Sequence, residues 1–219
     1  MPAWLDGFRG RRRVESRLAQ RLLSYPAYAA PHAGPPSRWT REQAQRNLQY
    51  LLDHREQRLA VIGALLQREG IDVQPALAGG DTAPLLSAVQ RWALEHWPSI
   101  RRPDLISRDA WLRTTRDGGD IAHSMLMDLA ILLGELIVRR RPSFQWGLDL
   151  DEVNGRDGMI SFLRPMLLAP RQGLAPVPLD VEAIVFGRLR NIDSPTEALV
   201  DHWAQVVNDA VSGAYERIH

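Results

Sequence analysis

Neither cysteine nor lysine occurs in the 219 residues, and all 27 basic side chains are arginine. Without a thiol the chain has no cysteine nucleophile, iron–sulfur ligand, thiolate zinc site or disulfide. Without a side-chain primary amine it has no phosphate-loop lysine, no pyridoxal Schiff base and no kinase-type lysine. Net charge is scarce as well. The 27 basic groups are balanced by 26 acidic ones, leaving +1, so no general basic field draws nucleic acid. A long uninterrupted apolar run is also missing. The longest, near Met125–Val138, carries Asp128 and Glu135, and is expected to be too short and too acidic to span a bilayer. The arginines at 9, 11, 12 and 13 are followed by Glu15, Arg17 and Arg21 rather than by the apolar core of a signal segment. A cytoplasmic protein is therefore expected. Arginine in place of lysine, with much Ala, Leu, Gly and Pro, is what a GC-rich bacterial coding sequence produces, and no mechanism attaches to it.

Apolar content of 45% and charged content of 24% are ordinary for a globular protein that buries a sizeable core. Residues 10–24 can form a short helix with Val14, Leu18 and Leu22 on one side, and the Pro- and Ala-rich stretch Pro26–Ser37 has a linker composition. The expected organisation is an N-terminal helical extension and linker over 1–38 and a single, mainly helical domain over 39–219. That domain opens at Thr40-Arg-Glu-Gln43, the form of a capping box, and continues through Leu48, Leu51, Leu52, Leu59, Ile62 and Leu66 to a stop at Gly70. Asp81 or Thr82 can cap a helix carrying Leu85, Leu86, Val89 and Trp92, and a further turn or two is expected around Trp111. Ser194-Pro195-Thr196-Glu197 signals a closing helix with Leu199, Val200, Trp203, Val206, Val207, Ala210, Val211 and Ala214 in its stripe.

Between the central and closing helices the period changes to two. Phe144, Trp146, Leu148 and Leu150 alternate with polar residues and predict a strand; Asn154-Gly155 supplies turn chemistry, and Met159–Leu163 can return as its partner. Pro-rich 165–178 reads as a connection into a helix near 179–190. The expected fold is α+β and predominantly α-helical, with five or six helices around a central helix at about 120–140 and a small antiparallel hairpin at about 143–164.

That central helix carries the most informative pattern. Asp128 and Glu135 lie about 20° apart on its surface and roughly 10 Å apart along its axis, with Arg139 one turn beyond Glu135 and apolar residues in most other directions. An acid so placed needs a partner or a cleft. Pairing of Glu135 with Arg139, and of Asp128 with a group from a neighbouring helix, is the structural account; one wall of a binding cleft is the functional one. Gly134 costs about 1 kcal/mol against alanine in a helix interior, which predicts close approach by a backbone or a large ring such as Trp146 or Trp111.

Other chemistry finds little footing. The histidines at 32, 54, 96, 123, 202 and 219 lack the spacing that puts two metal ligands on one helix face, and His123 lies about 140° around the helix from Asp128. No metal and no cofactor is expected. Asp149–Gly158 fails the calcium-loop pattern because its sixth position is Asn154. There is no Gly-x-Ser-x-Gly elbow, and Gly118-Gly119 is not a dinucleotide fingerprint. Arg139–Arg141 sits where a helix C-terminus favours positive charge.

Asp128-x-x-x-Leu132-Leu133-Gly134-Glu135 followed by Arg141-Pro142-x-x-x-Trp146 resembles a loose motif of uncharacterised bacterial proteins, some of which look like immunity proteins of toxin systems. The resemblance covers about 25 residues. It implies a helix leading into a strand in a small α+β domain, and it transfers no catalytic residue.

The expected function is binding of a protein partner or small ligand without catalysis, in an immunity-type role, through a cleft near the 120–140 helix. The candidate binding residues are Asp128, Glu135, Arg139, Trp146 and Trp111. A hydrolase-like enzyme using Asp128 or Glu135 as general base is the first alternative. A regulatory protein touching nucleic acid through the N-terminal arginines is the second, against which the near-neutral charge argues. Spare apolar surface on the closing helix could serve a homodimer, and no membrane association is expected.

Overall fold

A computed structural model describes residues 17–171, 174–194 and 201–215. The Arg9–Arg13 cluster, the Pro195-Thr196-Glu197 cap and the stripe residues Leu199 and Val200 lie outside them.

Helix α1 (Arg41–Gln67) begins at the capping box: Thr40 Oγ1 accepts from the Gln43 amide at 3.2 Å, and Gln43 Oε1 accepts from the Thr40 amide at 2.9 Å. Its apolar stripe buries Leu48, Leu51, Leu59, Ile62 and Leu66, and Gly70 ends it at φ +77°. A single turn, α2 (Gln74–Leu77), leads to α3 (Ala83–His96). Asp81 Oδ1 accepts from the Ala83 amide at the start of α3, and Trp97-Pro98 closes it in a 3-10 turn. Helix α4 (Arg108–Arg113), capped by Ser107, buries Trp111.

Helix α5 (Ile121–Arg140) is the centre of the fold, with every residue from Ala122 to Ile137 buried. It packs against α1, α2, α7 (Val181–Arg190) and α8 (His202–Val211). The 118–140 stretch is long and apolar enough to cross a bilayer, contrary to the length expected from sequence. However, 89% of its most apolar window is buried inside the protein, so its apolarity serves the core. The arginines at its C-terminus neutralise the helix end and also tie it to its neighbours. Arg140 donates to the Ala76 and Gly80 carbonyls, Arg139 to that of Leu77, and Arg141 to that of Val211.

The chain is predominantly helical with a small antiparallel sheet, as expected, but the sheet is placed differently. It has three strands in the order β1 (Gln145–Leu148), β2 (Pro165–Arg171), β3 (Leu174–Leu179), all antiparallel, with Trp146 opposite Leu167 and Leu167 opposite Leu179. The expected return strand Met159–Leu163 forms turns, and its one ladder contact is an isolated bridge from Phe162 to Asp149. Asn154-Gly155 lies inside a short helix, α6 (Glu152–Arg156), capped by Asp151. Leu150 falls beyond β1 and is 46% exposed. The Pro-rich segment that reads as a connection supplies β2 and β3. Its prolines sit where a ladder tolerates them: Pro165 opens β2, Pro170 lies at the register shift between Ala169 and Arg171, and Pro176 and Pro178 are on the edge strand.

Residues 17–22 are helical, and Leu18, Leu22, Tyr25 and Tyr28 join the same hydrophobic core as α1 and α5. The Pro/Ala-rich stretch that follows is therefore laid against the domain. Asn47 holds it from α1 by bonding both the amide and the carbonyl of His32.

Candidate functional site

The acidic stripe of α5 is divided between two separate knots. Asp128, fully buried, receives Arg58 of α1 through Nε at 2.7 Å and Nη2 at 2.6 Å, and the Tyr25 hydroxyl at 2.5 Å. Arg58 spends its remaining donors on the Pro26 and Ala27 carbonyls, so one guanidinium ties α5 to the N-terminal segment. Burial pushes the Asp128 carboxyl up to about 6 against the pull of Arg58, and pushes the Tyr25 hydroxyl well above its ordinary value. One turn pair along, Glu135 accepts from Trp146 Nε1 at 2.9 Å, with Arg139 Nε at 3.6 Å and Arg55 Nε at 3.9 Å. Arg139 also bonds Glu56 at 2.8 Å. Glu135, Arg139 and Trp146 are thus brought together, whereas Asp128 and Trp111 belong elsewhere.

Trp111 leads to a third buried cluster, on Glu182 of α7. This carboxylate accepts from Trp111 Nε1 at 3.0 Å, Arg116 Nη2 at 2.6 Å and Arg164 Nη2 at 2.8 Å. Arg164 also pairs with Asp180, the N-cap of α7, whose side chain accepts from the Ala183 amide. The indole of Trp111 is sandwiched, with Phe186 stacked at 4.7 Å on one face and the Arg164 guanidinium 4.4 Å over the ring. Arg116 lies 5.4 Å over the Tyr28 ring. Burial alone would raise the Glu182 carboxyl, but Arg116 and Arg164 overcome it and hold it at about 2. His123 is set apart from both acids of its helix. Its Nε2 meets the Leu105 carbonyl at 3.2 Å, and burial lowers its pKa, which keeps the ring neutral at pH 7.

A pocket of about 70 Å³, open to solvent on one side, lies over the Glu182 cluster. The N-terminal segment forms one wall with Tyr28, His32, Pro36 and Trp39. Trp111, Thr115 and Arg116 form another, Met127 of α5 the floor, and Arg164 and Glu182 the polar end. Of the residues expected to bind, Trp111 lines it; Asp128, Glu135, Arg139 and Trp146 do not. Two non-glycine positions among the described residues have a left-handed backbone, Arg116 at φ +61° and Leu163 at φ +64°. One is a pocket arginine and the other immediately precedes one.

Sequence reading passed over Arg58, Arg116, Arg164 and Glu182. Two of them leave a signal. Arg58 follows Leu51 by seven residues and precedes Ile62 by four, and Glu182 precedes Val185, Phe186 and Leu189 by three, four and seven, so each is a charge on an apolar helix face. Arg116 and Arg164 stand in loops with no periodicity to betray them. Among the described residues, no three His, Asp or Glu side chains converge in a group able to hold a metal ion. No protein family, curated protein or solved structure matches the chain.

Proposed function

We propose that this chain is a non-catalytic binding protein whose pocket between the 28–39 segment, α4 and the start of β2 receives a small ligand or a side chain of a protein partner. The observation that carries the reading is the construction of the pocket: an Arg116–Glu182–Arg164 network, with Glu182 and Arg164 buried and Arg116 half-buried, among aromatic and apolar lining side chains. A general base needs a carboxylate with a free oxygen within reach of substrate and a pKa near the working pH. Asp128 lies outside the pocket and accepts three donors, and Glu182, inside it, accepts three donors and is held at about 2. Both facts favour binding over catalysis. The resemblance extends the reading to an immunity-type partner, which co-expression with the product of the neighbouring gene tests.

Thermal shift of the full chain against a fragment library tests the pocket directly. Ala33 is exposed at the pocket mouth, so Ala33→Trp fills the opening without touching the core. Fragments that stabilise the wild type are expected to lose their effect on this variant. Unchanged shifts would overturn the pocket as the site.

A further inference from the structure

Accounting for the polar groups that line the pocket narrows what it can hold. Glu182 accepts three donors. Asn47 has both ends of its amide on the His32 backbone. Thr114 donates to Asp120 and accepts from the Arg116 amide, Thr115 donates to Asp117, and Trp39 Nε1 donates to the Ala33 carbonyl. Two groups remain. The Arg116 guanidinium has only Nη2 strongly engaged; its Nη1 reaches the His123 carbonyl at 3.5 Å, and its Nε makes no hydrogen bond among the described residues. His32 Nε2 is buried without a hydrogen-bond partner there. The Arg116 guanidinium thus keeps N–H donors that no acceptor among the described residues takes up, while both oxygens of Glu182 already accept; His32 Nε2 donates or accepts according to its tautomer. A buried polar atom left unpaired costs about 1–3 kcal/mol, so such an atom beside an open cavity marks where a ligand atom belongs.

The backbone points to the same end of the pocket. A left-handed conformation at a non-glycine residue costs on the order of 1–3 kcal/mol and persists where its surroundings enforce it, often at ligand sites. Arg116 is held in it by Thr114 Oγ1 on its amide and Ser124 Oγ on its carbonyl at 2.5 Å, and Leu163 by its amide bond to the Asp149 carbonyl. These two turns deliver the two pocket arginines.

Building on the binding role proposed above, we propose that the pocket takes a small molecule with an anionic group, a carboxylate or a phosphate monoester. The anion is seated on Arg116 beside His32, with an apolar body along Met127, Leu112 and Pro36. The anion supplies an acceptor for Arg116: with Nη2 engaged by Glu182, Nε–H still donates to one of its oxygens and the guanidinium charge favours it.

Isothermal titration of the full chain with benzoate, phenyl phosphate, inorganic phosphate and benzamide tests this. At least one aromatic anion is expected to bind ~10-fold or more tighter than the isosteric, neutral benzamide, as hydrogen bonds to charged groups require. Whichever of benzoate and phenyl phosphate binds tighter identifies the anion. Inorganic phosphate is expected to be weaker than phenyl phosphate, and equality would overturn the apolar body. Arg116→Gln is expected to erase the preference for anions. If that variant fails to fold, His32→Ala carries the test, because the imidazole makes no hydrogen bond that folding needs; it should weaken the anion about tenfold, the worth of one hydrogen bond to a charged group, and leave benzamide unchanged. Benzamide binding as tightly as benzoate would overturn the anionic ligand while leaving the pocket as a binding site. Binding by none of the four would also overturn it, and the Ala33→Trp fragment experiment then judges the pocket separately.

Discussion

The Trp146 ring lies so close against Gly134 that a Cβ there would sit 2.7 Å from Cη2 and nearer still to Cζ2. This contact seats β1 on α5 and brings Trp146 Nε1 within 2.9 Å of Glu135.

Gly134→Ala therefore sets two effects against each other. Helix propensity favours alanine by about 1 kcal/mol, while overpacking a rigid ring costs about 1–3 kcal/mol. A net loss is expected, seen as a lower urea midpoint, and most of it should vanish when Gly134→Ala is compared with its parent in a Trp146→Leu background, where the ring is gone. A raised midpoint in the single variant would contradict the packing.

Arg58 and Asp128 should behave as a unit. Arg58→Met leaves a buried carboxylate without its cation and is expected to cost about 3–5 kcal/mol. Combining it with Asp128→Leu and Tyr25→Phe replaces the whole polar knot by apolar groups and should recover much of that loss. Equilibrium unfolding of the wild type, Arg58→Met and the triple variant checks it; a triple variant no more stable than Arg58→Met would show that the knot is not coupled.

Two of the buried acids, Glu182 and Asp128, respond oppositely to pH. Glu182 is held at about 2 against an ordinary 4.5, so its stabilisation is complete above about pH 4.5 and is lost as pH falls towards 2. Asp128 is raised to about 6 from 3.8, so its contribution is complete below pH 3.8 and is lost as pH rises through 6. Relative to Asp128→Asn, the wild type should gain stability between pH 7 and pH 4; relative to Glu182→Gln, it should lose stability below pH 4.5. Urea midpoints across this range measure both differences.

The helices were legible because their signals are local: the Thr40–Gln43 box, the stripe of α1 and the apolar girth of α5 each depend on residues a few positions apart. The approach of a large ring to Gly134 was legible for the same reason, since an interior helical glycine asks for an explanation. β2 and β3 were not, because four prolines outweigh alternation unless the edge and the register shift that excuse them are known. The Glu182 cluster was half legible. Its own position on the apolar face of α7 marks it, but Trp111, Arg116 and Arg164 come from distant segments, and two left-handed residues with no sequence signature deliver the arginines.

The pocket lined by Tyr28, Arg116 and Glu182 is where we propose that this protein meets its ligand. A crystallographic fragment screen on the full chain tests it most directly. Bound fragments are expected to cluster in that pocket, with their acceptor atoms on Arg116. A pocket that stays empty while fragments gather elsewhere, for example beside Glu135 and Trp146, would contradict it.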